Sequence, residues 1–421
     1  MTVTEYKNIG ETLISARLSN GLEIRMIPKP GFSSFYALFG TSYGGAMRNF
    51  EIDGRRLETP AGVAHFLEHK MFDLPGGDNA LSILSANGAD PNAFTSSSAT
   101  CYYFRCTESF EENLRVLLHF VSTPYFTKET VEKEQGIIGQ EIQMVDDSPN
   151  SEIYYNLLSL LYDHHPIKDK VAGSIESIAR ITDETLYSCH RVFYAPSNMV
   201  LCLEGDIDPQ KVIAIAEEEL SEECAPVPRA DYGEPEGPEP VGKISRLEME
   251  VSAPQFLIGQ KLEAGTSLKE RLTADLSLKL ICGSSSPLYS RLYSSGLITG
   301  DFDFELDYAA GTATLIGGGE SSEPERVLAE LEAEIERIRQ EGIEPGYFRR
   351  CLNASLGARL RSLEDFEDVC TALAFGIFEG YNYMDCFALG SEISLEDCMS
   401  WIKEKLRPEH FALSIINPVT K

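Results

Sequence analysis

The amino-acid sequence predicts an α+β protein of two tandem, homologous domains, each an α/β sandwich in which an antiparallel sheet packs with helices. The chain has 421 residues, which is enough for two domains that each bury a core. Near its middle, residues 222–242 are rich in proline, glycine and acids, a composition typical of a linker. The elements predicted on its two sides follow the same order, which indicates duplication of one α+β unit. We therefore expect an N-terminal domain at 1–221 and a C-terminal domain at 243–421.

Hydrophobic periodicity and capping signals predict the elements of the first half. Thr59 can cap a helix that has Pro60 at its first position and runs to about residue 72. A helix at 78–88 follows, and residues 91–106 are expected to form one long strand. The other elements expected there are a strand pair within 12–45, helices at about 109–122, 128–147, 150–162, 182–191 and 208–220, and a strand at 198–204.

The second half is predicted to repeat this order. Alternation at 244–262 suggests two strands, and residues 301–316 are rich in strand formers. Helices are expected at about 268–282, 286–295, 323–340, 345–362, 364–379 and 395–406, followed by a strand at 411–416.

The composition is that of a soluble globular protein and excludes two classes of partner. With 36 basic and 66 acidic residues the net charge is −30, so nucleic acid phosphates and anionic membrane surfaces are repelled. The acidic surplus favours solubility, and a second interpretation is an acidic chamber that attracts basic peptides. The sequence contains no run of about 18 apolar residues, so no membrane-spanning helix is predicted. Residues 1–18 lack the apolar core of a signal peptide.

The ten cysteines are scattered without the spacing of a zinc finger. Cys101 and Cys106, the closest pair, are separated by an odd number of positions, which puts them on opposite faces if they share a strand. Free thiols in a reducing cytoplasm fit this pattern best. We therefore expect a cytoplasmic protein.

The segment at 65–69, His-Phe-Leu-Glu-His, is the strongest functional signal in the chain. On a helix, positions four apart lie on one face, so the imidazoles of His65 and His69 can reach one metal ion. Glu68 lies at the edge of that face, where it can activate a water molecule without binding the metal. This order of residues is the inverted form of the zinc-protease motif. The sequence therefore predicts a metalloprotease centre.

A centre of this kind needs a third protein ligand and leaves one position for water. The helix at 128–147 offers three acids: Glu132, Glu134 and Glu141. Glu134 and Glu141 are two turns apart and share a face, with Ile137 and Ile138 expected on its buried side. One glutamate can bind the metal and the other can support it.

The second half of the sequence has no equivalent of this histidine motif. It contains a single histidine, His410, and its helix at 268–282, which matches the motif helix in order, contains none. We therefore expect one metal site, in the first half.

Three motifs together resemble those of the M16 (pitrilysin or insulinase-type) metallopeptidases. They are His-Phe-Leu-Glu-His-Lys-Met-Phe at 65–72, Asn-Ala-Phe-Thr-Ser at 92–96 and Glu-Gln-Gly-Ile-Ile-Gly-Gln-Glu at 134–141. The resemblance covers the whole chain and implies the LuxS/MPP-like metallohydrolase fold. The phrase Leu-Glu-His-Lys-Met-Phe is most similar to a two-domain bacterial branch associated with modification of elongation factor P. Members of that branch often pair with a sister chain that lacks the zinc motif.

The resemblance also implies roles for individual residues. His65, His69 and Glu141 correspond to the ligands of a zinc ion (Zn2+). Glu68 corresponds to the general base, and Glu134 to a glutamate that assists catalysis from beside the ligands.

In the family, the segment matching residues 92–96 is an edge strand to which the peptide substrate adds by backbone hydrogen bonds. The corresponding substrate-binding positions are Asn92, Ala93 and Phe94. Strand alternation puts Asn92, Phe94 and Ser96 on one face. Recognition through the backbone selects substrates by size and flexibility more than by sequence.

The second half departs from the family at two positions. Active members carry an arginine and a tyrosine that reach the substrate, whereas this chain has Tyr293 and Ile298, with Arg291 nearby. We expect a zinc-dependent endopeptidase that cleaves peptides or small unfolded polypeptides in a clamshell chamber, as a homodimer or a heterodimer with a sister chain. The alternatives are a weakly active zinc-binding scaffold or recognition subunit in such a heterodimer, and a metal-free structural homologue.

Overall fold

The computed structural model describes residues 1–264 and 267–419, which divide into two compact units. The first unit consists of Met1–Ile142, Lys170–Asp231 and Arg361–Met384. The second consists of Gln143–Asp169, Tyr232–Leu360 and the described residues from Asp385 onward. Each unit therefore contains a segment from the other half of the chain. The division of the sequence at 222–242 stays a prediction, and the part of that stretch up to Asp231 belongs to the first unit.

Fifteen strands are described. In chain order they are β1 (Thr2–Tyr6), β2 (Glu11–Arg17), β3 (Glu23–Pro28), β4 (Phe35–Thr41), β5 (Asn49–Ile52), β6 (Arg55–Glu58), β7 (Asp90–Thr95), β8 (Thr100–Cys106), β9 (Met199–Gly205), β10 (Arg229–Ala230), β11 (Ile244–Met249), β12 (Gln255–Leu262), β13 (Asp303–Ala309), β14 (Thr312–Glu320) and β15 (Ala412–Pro418).

Fifteen α-helices are described beside them. In chain order they are α1 (Val63–Met71), α2 (Ala80–Ala86), α3 (Phe110–Ser122), α4 (Lys128–Asp146), α5 (Pro149–Leu161), α6 (Ile175–Ile178), α7 (Asp183–Phe193), α8 (Pro209–Glu219), α9 (Leu268–Cys282), α10 (Pro287–Ser294), α11 (Pro324–Glu341), α12 (Pro345–Ser362), α13 (Phe366–Phe378), α14 (Cys386–Ser391) and α15 (Leu395–Glu404). Within the described part of the chain, no helix has both the length and the apolar character needed to cross a membrane.

One five-stranded arrangement occurs in both units. The main sheet of the first unit has the order β1-β2-β3-β9-β4-β8-β7, and β10, β5 and β6 form a small separate sheet. The sheet of the second unit has the order β11-β15-β12-β14-β13. The run β3-β9-β4-β8-β7 corresponds to it strand for strand: the first pair is parallel and the next three pairs are antiparallel. The predicted α+β class and its duplication are therefore confirmed.

Each main sheet contains one parallel pair among antiparallel ones, whereas the sequence analysis described the sheets as antiparallel. β9 runs parallel to β3, and β15 runs parallel to β11. Parallel neighbours cannot be joined by a hairpin and need a long crossover, and β9 and β15 each follow several helices. Alternation within a strand says nothing about the direction of its neighbour, so the sequence pattern missed this feature.

One helix that covers each sheet comes from the other half of the chain. In the first unit, α13 packs against β4 and β9. In the second unit, α5 packs against β12 and β15, which occupy the corresponding places. The sequence analysis found both helices but assigned each to the half that encodes it.

The two faces of β8 have different neighbours, as the spacing of its cysteines suggested. Cys106 belongs to the apolar core that includes α1 and α3, whereas Cys101 lies against Gly40, which also approaches Phe378 of α13. All ten cysteines are free thiols.

The helix that carries the motif begins later than predicted. Its N-cap is Gly62, with φ of 93°, and Thr59 instead donates its hydroxyl to the carbonyl oxygen of Arg48. A Cβ atom at position 62 would lie 2.5 Å from the carbonyl oxygen of Ala172. The positive φ and this close approach together require glycine, so the prediction of Thr59 as the cap was wrong.

The predicted long strand at 91–106 is a hairpin of β7 and β8. The backbone N–H of Ser96 donates to the carbonyl oxygen of Ala99, and the Ser96 hydroxyl accepts the N–H groups of Ser98 and Ala99. Serine side chains commonly stabilise turns in this way. The turn brings β7 to the edge of the sheet.

Candidate metal centre

α1 carries two histidines and is anchored by its apolar face. Phe66 and Leu67 are fully buried in the core of the first unit. The side chains of His65 and His69 are 12% and 25% exposed, and their ring centroids are 4.6 Å apart. The four-residue spacing therefore places both imidazoles on one accessible face, as helical geometry predicts.

α4 supplies two glutamates from the border between its buried and exposed faces. Glu134 is 15% exposed and Glu141 is 38% exposed. Ile138 is fully buried, but Ile137 is 46% exposed, so the prediction that Ile137 supports the buried side was wrong. Successive residues of a helix are about 100° apart, which is enough to turn one isoleucine to the core and the other to solvent.

His65, His69 and Glu141 converge. Nε2 of His65 is 3.3 Å from Oε1 of Glu141, and Nε2 of His69 is 3.4 Å from Oε2 of Glu141. One possible ligand atom from each residue lies within 4.8 Å of the other two. Within residues 1–264 and 267–419, no other group of three or more His, Cys, Asp or Glu side chains converges in this way.

This arrangement fits a zinc ion. Tetrahedral zinc with ligands at roughly 2.0–2.2 Å separates its ligand atoms by roughly 3.3–3.6 Å. The two distances to Glu141 fall in this range, and each joins one histidine to a different oxygen of the carboxylate. Two imidazoles and one carboxylate are also a donor set that catalytic zinc uses, with a fourth position left for water or substrate.

Glu134 contacts His69 from behind the ligand cluster. Its Oε1 lies 3.1 Å from Nδ1 of His69, so Nε2 of the same ring is left to face Glu141. A carboxylate in this position sets the tautomer and orientation of a ligating histidine. His65 has no such support, because its Nδ1 is buried without a hydrogen-bond partner among the described residues.

The charges at this centre stabilise one another. Burial lowers the pKa of His69, but hydrogen bonds with Glu134 and Glu141 outweigh burial and raise the pKa to about 9. Burial raises the pKa of Glu134, but the hydrogen bond with His69 and the charges of His69, Lys70 and Lys133 together outweigh burial and lower the pKa. Hydrogen bonds with His65 and His69 lower the pKa of Glu141. The carboxylates thus favour a positive charge here, and a metal ion would replace the proton, since ligating histidines are neutral.

Glu68 is held by a residue that the sequence analysis did not single out. Thr95, the last residue of β7, donates its hydroxyl to Oε2 of Glu68. The hydroxyl of Thr100 lies 3.3 Å from that of Thr95 and donates to the carbonyl oxygen of Tyr43 at 2.8 Å. The hairpin therefore orients the carboxylate of the candidate base. Strand alternation could have indicated Thr95, because it places Thr95 opposite the face that carries Asn92 and Phe94.

β7 has the edge position expected of a substrate-binding strand. It pairs with β8 on one side, and no strand of the described residues pairs with its other side. Phe94 faces α13, where its ring lies 6.4 Å from that of Phe375 with 6° between the planes. The N–H of Ala93 donates to the side-chain oxygen of Asn92 at 2.9 Å. Substrate contacts at Asn92, Ala93 and Phe94 stay a prediction.

The two departures from the family pattern lie in the second unit. Tyr293 is 57% exposed and stacks on Tyr289, and Ile298 is buried. Arg291 forms an ion pair with Glu334 at 2.9 Å, and that glutamate is fully buried. The side chain of Arg291 is therefore committed to a structural contact.

Known proteins resemble both halves of the chain. The family model described as insulinase (peptidase family M16) matches residues 53–174, and the model described as the peptidase M16 inactive domain matches residues 180–355. A protein of Bacillus subtilis (strain 168), named the uncharacterized zinc protease YmfH, is 35% identical over 98% of this chain and 98% of its own length.

Solved structures of peptidases are also similar to this chain. The crystal structure of an M16-like peptidase from Alicyclobacillus acidocaldarius matches with a TM-score of 0.92 and 32% identity, covering 97% of this chain and 98% of that chain. A protease from Helicobacter pylori shares the fold with a TM-score of 0.82 and 19% identity, covering 96% of this chain and 99% of that chain. With its inverted histidine motif, its duplicated fold and these relatives, the chain belongs to the M16 (insulinase) family of peptidases.

Proposed function

We propose that this protein is a zinc-dependent endopeptidase that cleaves peptides or small unfolded polypeptides. The observation that carries the proposal is the convergence of His65, His69 and Glu141, with Glu68 on the same helix as the histidines and close enough for its charge to act on His69. A metal ligand set, a neighbouring carboxylate and an open strand edge are the three parts that metal-assisted peptide hydrolysis needs.

His65, His69 and Glu141 would hold a zinc ion, which would supply a Lewis acid to polarise the scissile carbonyl and to lower the pKa of water. Glu68 accepts a proton from the attacking water and passes it to the leaving amine. The hydrogen bond from Thr95 orients that carboxylate, and Glu134 orients the ring of His69. The residues thus divide into metal ligands, a base and the side chains that orient them.

The substrate adds to β7 as a further strand. The backbone of an edge strand offers unpaired N–H and C=O groups, so an extended peptide binds through its own backbone. Most backbone groups of a folded protein are already paired, so short or unfolded chains are the favoured substrates. A peptide that pairs at Ala93 has to displace the side chain of Asn92 from the Ala93 N–H.

The test is cleavage of unstructured peptides by purified, zinc-loaded protein. The wild type should cut them, and Glu68→Gln should lose cleavage while it retains zinc. Glu132→Gln is the matched control, because Glu132 is an exposed acid on α4 with a 63% exposed side chain. Full activity of Glu68→Gln would contradict the role of Glu68, and absence of zinc from the wild type would contradict the proposal.

A second candidate function is a zinc-binding scaffold or recognition subunit with little activity of its own. The observation that favours it is the pair Tyr293 and Ile298, at positions where the resemblance implies arginine and tyrosine. In this case the chain would act in a heterodimer with a sister M16-like chain. It predicts stable association with such a chain and no cleavage by either protein alone or by the pair.

The proposed endopeptidase also works as a dimer, either with itself or with a sister chain, in the cytoplasm. Ten free thiols support a reducing compartment. Analytical ultracentrifugation of the protein, alone and mixed with any co-encoded sister chain, measures whether a homodimer or a heterodimer forms.

A further inference from the structure

Lys70, which follows the second histidine, is buried to an extent that is unusual for lysine. Its side chain is 1% exposed. Lysine is almost never buried completely unless its charge is paired, because an isolated ammonium group loses its hydration. The carboxylates that pair with the ammonium of Lys70 therefore indicate what this residue does.

Two carboxylates form ion pairs with the ammonium of Lys70, and the nearer one also accepts a hydrogen bond from it. One belongs to Asp73, three residues later in the chain. The other belongs to Glu134, whose Oε2 lies 3.9 Å from Nζ of Lys70. The second oxygen of Glu134, Oε1, contacts Nδ1 of His69. One carboxylate thus spans the buried lysine and the histidine beside the candidate metal position.

We propose that Lys70 is a positioning residue for the metal centre, which holds Glu134 and, through it, the imidazole of His69 in the orientation that zinc binding needs. The inference rests on the proposed zinc site. The hydrogen bond at Oε1 and the electrostatic attraction of Lys70 at Oε2 favour the same orientation of this carboxylate. His69 gains most from this support, because Nδ1 of His65 has no partner among the described residues.

The alternative role for Lys70 is structural. Asp73 is 36% exposed, lies close in sequence and could neutralise the ammonium without any effect on the metal. The two roles differ in their consequences for zinc: a structural lysine contributes to stability of the metal-free protein, whereas a positioning lysine contributes to zinc affinity.

The experiment measures zinc affinity, by competition with a chromophoric chelator, and thermal unfolding of the metal-free protein. Lys70→Met keeps the length of the side chain and removes its charge. It should weaken zinc binding by about 10- to 100-fold, the range found for residues that support metal ligands. Glu134→Gln should weaken zinc binding to a similar extent. The double variant should bind zinc no more weakly than the single variant with the lower zinc affinity, because both changes break the same chain of contacts.

Lys133→Met is the matched control, since Lys133 is an exposed lysine next to Glu134 in sequence. Removal of this screened charge should change zinc affinity by less than about threefold. Lys70→Gln is the second variant if Lys70→Met does not fold, because glutamine keeps a donor for Asp73.

Three results would overturn the role of Lys70: unchanged zinc affinity in the folded Lys70 variant, additive losses in the double variant, or an equal loss in Lys133→Met. A wild-type protein that binds no zinc would instead overturn the proposed function.

Discussion

Replacement of Thr95 by valine removes the hydroxyl that orients Glu68 while it preserves the shape of the side chain. Thr95 donates to Oε2 of Glu68 and touches none of the candidate zinc ligands in the described contacts. The variant therefore separates orientation of the base from formation of the metal site.

The size of the effect follows from the kind of hydrogen bond that is lost. A hydrogen bond to a charged group contributes about 1.5–3 kcal/mol, and about 1.4 kcal/mol corresponds to a tenfold change in rate. If the whole contribution acts on the transition state, kcat/KM for peptide cleavage should fall about 10- to 150-fold. Zinc affinity should stay that of the wild type.

The assay is hydrolysis of an unstructured fluorogenic peptide by zinc-loaded protein, with chelator competition on the same samples. Thr4→Val is the control, because Thr4 is an exposed threonine in β1, at the opposite edge of the same sheet. Full kcat/KM in a zinc-loaded Thr95→Val variant would refute the idea that this hydroxyl positions the base. A loss of zinc from the variant would refute the separation of base orientation from metal binding.

Two further predictions concern the support of the site and the stability of the first unit. Phe375→Ala removes the ring that lies 6.4 Å from Phe94, and should raise KM for peptides several-fold without a change in zinc affinity; an unchanged KM would argue against support of β7 by α13. His190 is buried with its Nε2 donating to the carbonyl oxygen of Val121, and burial lowers its pKa from 6.5 to about 4. The unfolded state therefore binds the proton more tightly, and the contribution of His190 is complete above its unfolded pKa and is lost as the pH falls towards 4. Between about pH 7.5 and about pH 5, the wild type should lose about 2 kcal/mol more unfolding free energy than His190→Gln in urea denaturation. Equal losses in the two proteins would contradict this pKa.

The sequence by itself determined the parts of the site that lie within single helices. His65 and His69 share a face of α1 because helical geometry places positions four apart together. Glu134 and Glu141 share a side of α4 for the same reason, two turns apart. Long helices with strong periodicity were also predicted closely: α9 has the predicted bounds of 268–282 and α12 those of 345–362.

Relations between elements were decided by the tertiary structure alone. Three contacts join segments that are distant in sequence. α13 packs on the main sheet of the first unit, β9 pairs in parallel with β3, and Thr95 donates a hydrogen bond to Glu68. Spacing within a helix or strand is a local property of the backbone, whereas contacts between elements depend on how their buried faces fit. The same reason explains Lys70, since a lysine in the sequence carries no sign that folding will bury it against Glu134. The local pattern thus identified the ligands, and the fold decided which residues hold them in place.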